Sequence, residues 1–110
     1  MIDRRRYERV PFFCQVGLAA GPAGRQEYGR SIDLSQGGVG VMTPASFAKG
    51  QLVTVTFFLR DGRQQEVRNQ MVGRIVSLQA DMDANRVGVE FLQPLDKAVC
   101  PELMRKLVTL

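Results

Sequence analysis

The chain has 110 residues, 45% of them apolar, and a formal net charge of +4. That length holds one domain with one modest hydrophobic core, and that apolar share excludes a disordered chain. No run approaches the ~20 apolar residues of a membrane span, and the N-terminus is charged at once with no apolar signal segment, so a cytoplasmic protein is expected.

The chain begins MIDRRRYER, with Arg4, Arg5, Arg6 and Arg9 ahead of the first strand pattern. Of the fifteen cations only Lys49, Lys97 and Lys106 are lysine. A solvated surface can use either cation. Planar, forked recognition of phosphates or guanine edges requires arginine. A general preference for arginine would leave the same ratio, so the placement of the arginines says more than their number. Residues 1–9 hold four like charges and few apolar anchors, and are expected to form a flexible arm. Residues 10–110 are expected to form the folded domain.

Val10, Phe12, Cys14, Val16 and Leu18 alternate with their neighbours at period two, which predicts a first strand with an apolar inner face. Ala20–Gly24 is turn chemistry. A second strand is predicted from about Gln26 to Leu34 and a third from about Gly38 to Thr43, joined by a tight turn. Leu52–Leu59 is β-branched and aromatic, with Val53, Val55, Phe57 and Leu59 on one face. Asp61-Gly62 then signals a two-residue hairpin. The partner strand is predicted from about Gln65 to Leu78, with a slip near Gly73 that suggests a bulge or sharp coil. Val87, Val89 and Phe91 mark a sixth strand. Leu95, Val99, Leu103 and Leu107 then recur every four residues, as in an amphipathic helix. Pro101 suits a first helical turn, so the regular helix should start there, with a separate turn before it. The predicted class is mainly β: a six-stranded antiparallel β-barrel with a C-terminal α-helix packed against it.

The chain has no histidine, which removes the commonest acid–base group and nucleophile activator. Cys14 and Cys100 are isolated and read as small buried thiols rather than zinc ligands. Asp81-Met82-Asp83-Ala84-Asn85 resembles the start of a calcium loop, but Arg86 and Leu92 stand where glycine and glutamate are needed. There is no phosphate loop. An enzyme, a metal and a cofactor are therefore not expected.

Two motifs remain. Arg5 and Arg9 form an RxxxR with Arg4 in front, and Asp33-Leu34-Ser35-Gln36-Gly37-Gly38 is a DxSxxG. Each alone is weak. Together, in this order and in a β-rich chain, they resemble the PilZ family of bacterial receptor domains for cyclic di-GMP. The resemblance covers nearly the whole chain. It takes in Arg9-Val10-Pro11 at the first strand, Ile32-Asp33-Leu34-Ser35, Gly73-Arg74-Ile75-Val76 on the long strand, and Arg86-Val87-Gly88-Val89-Glu90-Phe91 on the last.

The ligand that the resemblance implies explains the residue types. A guanidinium can grip guanine O6 and N7 bidentately, pair with phosphate and stack on a base. The resemblance gives Arg5 and Arg9 this work. It makes Asp33 the acceptor for the guanine N1–H and amine, with Ser35 completing the edge contact. Gly38 permits unusual backbone angles or close approach. Gly37 reads first as structural, Arg6 as a solubility charge and Tyr7 as a cover for the barrel, while Arg74 is a candidate to reach the site from the long strand. In this family an arginine in the place of Arg4 tends to accompany two stacked ligands, so two cyclic di-GMP molecules per chain are expected. Binding should order the arm for an unidentified downstream protein or domain. Two other readings stay open: a nucleic-acid-binding small β-barrel, disfavoured because the strands show no clear row of exposed aromatics, and a PilZ-like protein-interaction module.

Overall fold

The computed structural model describes residues 8–21, 24–96, 98 and 100–108. The expectations for Arg4, Arg5, Arg6, Tyr7 and Val99 lie outside these residues.

Seven strands and one helix follow in order: β1 Val10–Pro11, β2 Gln15–Ala19, β3 Gln26–Ser35, β4 Gly38–Thr43, β5 Leu52–Arg60, β6 Glu66–Ala80, β7 Asn85–Phe91 and α1 Pro101–Val108. Strands β2, β5, β6, β7, β4 and β3 pair antiparallel in that sequence, and β3 returns to β2, closing a six-stranded barrel. β1 also lies on β3 and continues the line of β2.

The predicted first strand is thus broken at residues 12–14. Pro11 has no N–H to give, and Ser31 of β3 occupies the gap. Its Oγ donates to the Phe12 carbonyl at 2.7 Å and accepts from the Cys14 N–H at 2.9 Å. A fully buried side chain therefore supplies bonds that a regular ladder would have made. The alternation that predicted one strand is real, but it could not show that a serine replaces two rungs.

Val16, Leu18, Leu34, Val39, Val41, Val53 and Val55 fill the barrel. Phe57 meets Phe91 edge-on, ring centroids 6.3 Å apart. The inward row of β5 is the predicted one.

Two local expectations are corrected. Asp61-Gly62 does not make a two-residue turn. The loop runs from Asp61 to Gln65, closed by the Asp61 N–H on the Gln65 carbonyl at 2.9 Å, and the left-handed residue is Gln64, at φ 64°. The Asp61 carboxylate accepts from the N–H groups of Arg63 and Gln65, which favours the wider loop. The irregularity in β6 lies between Ile75 and Ser77, not at Gly73. Gly73 stays in register opposite Phe91, where a Cβ would come within 2.5 Å of the Val89 side chain and 2.8 Å of the Glu90 carbonyl.

The helix begins at Pro101, as its proline predicts. A separate turn precedes it, closed by the Cys100 N–H on the Asp96 carbonyl at 3.1 Å. Leu95 and Leu103 are fully buried against the barrel. Glu102 in the first turn and Arg105 and Lys106 in the last complement the helix dipole. Among the described residues no helix is long and apolar enough to cross a membrane.

Candidate ligand-binding site

Arg9 immediately precedes β1, whose pairing with β3 sets Pro11 opposite Asp33. An irregularity between Ser31 and Asp33 resets the facing of β3. Ser31 consequently points inward and the Asp33 carboxylate lies on the outer surface.

That carboxylate is surrounded by donors. Arg9 Nη1 lies 3.2 Å from Oδ1 and 3.4 Å from Oδ2. The Gly40 N–H donates to Oδ1 at 3.0 Å. Arg86 Nη2 stands 4.0 Å from Oδ2. The Asp33 side chain is 21% exposed, against 59% for Arg9 and 54% for Arg86. The result is a sheltered acceptor flanked by two wet guanidiniums.

The surface beside it carries few side chains. Val39 and Val41 face the core, so Gly38 and Gly40 face outward, and Gly88 of β7 pairs with Gly40. At Gly40 a Cβ would stand 2.7 Å from Asp33 Oδ1, and at Gly38 it would collide with the Val89 carbonyl. Gly38 therefore serves close approach, and the group that approaches is the backbone of β7.

Ser35 shapes the turn between β3 and β4. Its buried Oγ accepts from the Gly37 N–H at 3.2 Å and has a long 3.4 Å bond to the Gly38 carbonyl. The Gly37 carbonyl accepts from the Phe91 N–H at 2.8 Å. Gln36 exchanges two bonds with the backbone of Leu95, both 2.8 Å. The DxSxxG turn is thereby tied to the segment that leads into α1.

Arg9, Ser35, Gly37 and Gly38 border a notch of about 120 Å³, together with Val76 and Glu90. This is small beside the ~300–1,000 Å³ of an enclosing ligand pocket. A nucleotide here would rest on the surface and need cover from outside.

The structure thus gathers Arg9, Asp33, Ser35, Gly37 and Gly38. It does not bring Arg74 to Asp33: that guanidinium donates to the Gly50 carbonyl at 2.9 Å. Arg4 and Arg5 lie outside the described residues. Three neighbours were not singled out from the sequence. Arg86 and Glu90 alternate with Gly88 on the outer face of β7, but only barrel closure reveals that β7 lies beside β4. Val76 enters because the bulge turns it toward the notch.

A closed six-stranded barrel carrying RxxxR and DxSxxG residues on one outer face defines the class. The chain belongs to the PilZ domain family, whose profile matches residues 3–109. Among solved structures, the PilZ domain of Escherichia coli YcgR with c-di-GMP is 18% identical with a TM-score of 0.73, covering 98% of this chain and 92% of that one. Bacillus subtilis MotI/DgrA, an inhibitor of motility, is 16% identical with a TM-score of 0.70, covering 98% and 53%. K. pneumonia MrkH, solved as a c-di-GMP complex, is 14% identical with a TM-score of 0.67, covering 99% and 53%. The chain therefore spans about half the length of MotI/DgrA and MrkH. At these identities the likeness is one of fold. No curated protein matches the sequence.

Proposed function

We propose that this chain is a receptor for cyclic di-GMP, without a catalytic role of its own, and that the ligand bridges the RxxxR arm and the DxSxxG surface. The observation that carries the reading is the meeting of Arg9 and Asp33, one from each motif, on the glycine-paved surface of β4 and β7. Family membership and the two c-di-GMP-bound relatives support it.

The chemistry follows from the donor set. Arg9 and Arg5 grip guanine edges and phosphates, while Asp33 accepts from the guanine N1–H and amine. For Arg9 to reach the ligand, its present pairing with Asp33 must loosen. Arg86 and the Gly40 N–H then remain to hold the carboxylate in place. The shallow notch leaves most of a dinucleotide uncovered, so residues 1–9 close over it and form a new surface for a downstream protein or domain. Two stacked ligands bring four phosphodiester charges together, which Arg5 and Arg9 cannot balance alone. Arg4 supplies a third guanidinium, and the proposed stoichiometry is two per chain.

The test is calorimetric titration with cyclic di-GMP, linear pGpG and a single-stranded DNA, combined with amide hydrogen exchange. Saturable binding of cyclic di-GMP alone, with slower exchange at residues 4–9 in the complex, is the expected result. Equal binding of all three would reduce the site to a nonspecific basic patch.

A further inference from the structure

A second, larger cavity of about 500 Å³ lies beyond β1, between the β1–β2 connection, the β5–β6 hairpin and α1. Its size falls within the range of sites that hold a bound group. One side is aromatic: Phe12 and Phe13 from the connection and Phe58 from β5. Phe13 is 67% exposed and Tyr28, whose ring lies 6.3 Å from that of Phe58, is 53% exposed. The Arg68 guanidinium sits 5.3 Å over the Phe58 ring. The strand alternation had given no sign of this gathering, because it draws on a loop and two strands of the closed barrel.

The other side is cationic. Arg60, Arg105 and Lys106 line it, opposed by Asp61 and Glu102. Both carboxylates already accept bonds: Asp61 Oδ1 from the turn N–H groups of Arg63 and Gln65, and Glu102 Oε2 from Asn69 at 3.2 Å. The rim therefore has an excess of positive charge around an exposed aromatic wall. Aromatic and arginine side chains are the usual anchors of protein interfaces. A single-stranded nucleic acid would prefer a continuous basic track, which Asp61 and Glu102 interrupt. A second copy of this chain would bring a further +4.

We propose that this cleft is the surface on which the receptor engages its downstream partner, and that it takes an acidic peptide segment with an aromatic or branched apolar anchor. Its role as the output rests on the receptor reading. Phe12 and Phe13 follow Arg9 directly, on the stretch that Ser31 pins between β1 and β2, so a movement of Arg9 onto ligand pulls on the wall of the cleft.

The test selects a displayed library of random twelve-residue peptides on the whole chain. The selected peptides are then measured by fluorescence polarisation against wild type, Phe13→Ser, Lys106→Glu and the remote control Gln79→Glu. Peptides rich in Asp and Glu around Phe, Leu or Ile are expected, with affinity at least tenfold lower in the first two variants and unchanged in the control. Phe13 and Lys106 are both exposed, so the melting transition should not move. No binders, binders indifferent to both substitutions, or displacement by oligothymidylate would overturn the proposal. Cyclic di-GMP is titrated into the same preparations. Intact ligand binding without peptide binding rejects the docking surface alone, and absent ligand binding in wild type rejects the receptor reading.

Discussion

The Asp33 carboxylate faces two guanidiniums and a backbone N–H, and it can offer acceptors only. It would repel a phosphate but suits guanine's donors. Cyclic di-AMP, whose N1 is no donor, should therefore bind far more weakly than cyclic di-GMP. Asp33→Asn retains one acceptor oxygen and should cost less affinity than Asp33→Ala, and calorimetry on the two variants decides it. Equal affinity for the two dinucleotides would show that charge alone is read. The Arg9–Asp33 meeting was legible because both motifs have short internal spacings that place polar groups at strand ends. Arg86 was not legible: its neighbourhood depends on β7 pairing with β4, a contact that no local pattern encodes.

The elements carry their own tests. Ser31 is fully buried and bonds both sides of the break after β1. Ser31→Ala leaves an N–H and a carbonyl unpaired, and a loss of about 1–3 kcal/mol is expected in denaturant unfolding. Gln64 holds φ 64°. Left-handed backbone costs a non-glycine residue ~1–2 kcal/mol, and glycine gives back ~0.4–1 kcal/mol through its freer unfolded chain. Gln64→Gly should thus stabilise by about 0.5–1 kcal/mol, read from the same unfolding curves. A destabilised variant would mean that the Gln64 side chain does something its backbone angle conceals. Period-two alternation and the four-residue apolar repeat located the strands and the helix well, because each is set by burial along one segment. Loop length and bulge position were less legible. The β5–β6 loop is widened by hydrogen bonds of the Asp61 side chain, and the β6 irregularity is fixed by its pairing with β7.

The molecule as a whole is a closed barrel with one core, and its class was legible from strand count and turn chemistry. The strand order was not, since register depends on distant pairs. Both thiols belong to the packed interior. Burial pushes the Cys14 thiol up from 9.0, against the hydrogen bond from Ser31, and burial followed by the charge of Glu102 pushes Cys100 up. The unfolded thiols ionise near 9.0 while the folded ones stay protonated. Their contribution is therefore complete below that pH and is lost as pH rises through the folded values. The melting temperature should fall above roughly pH 9, and less steeply in Cys14→Ala and Cys100→Ala. The central claim concerns a site on the outside of this barrel. It is tested most directly by calorimetric titration of cyclic di-GMP into wild type and Arg9→Ala side by side. Loss of a charge-assisted contact of ~1.5–3 kcal/mol predicts saturable binding of two ligands in wild type. It also predicts at least tenfold weaker binding in the variant, with the melting transition unmoved. No saturable binding in wild type, or full affinity in Arg9→Ala, would contradict the account.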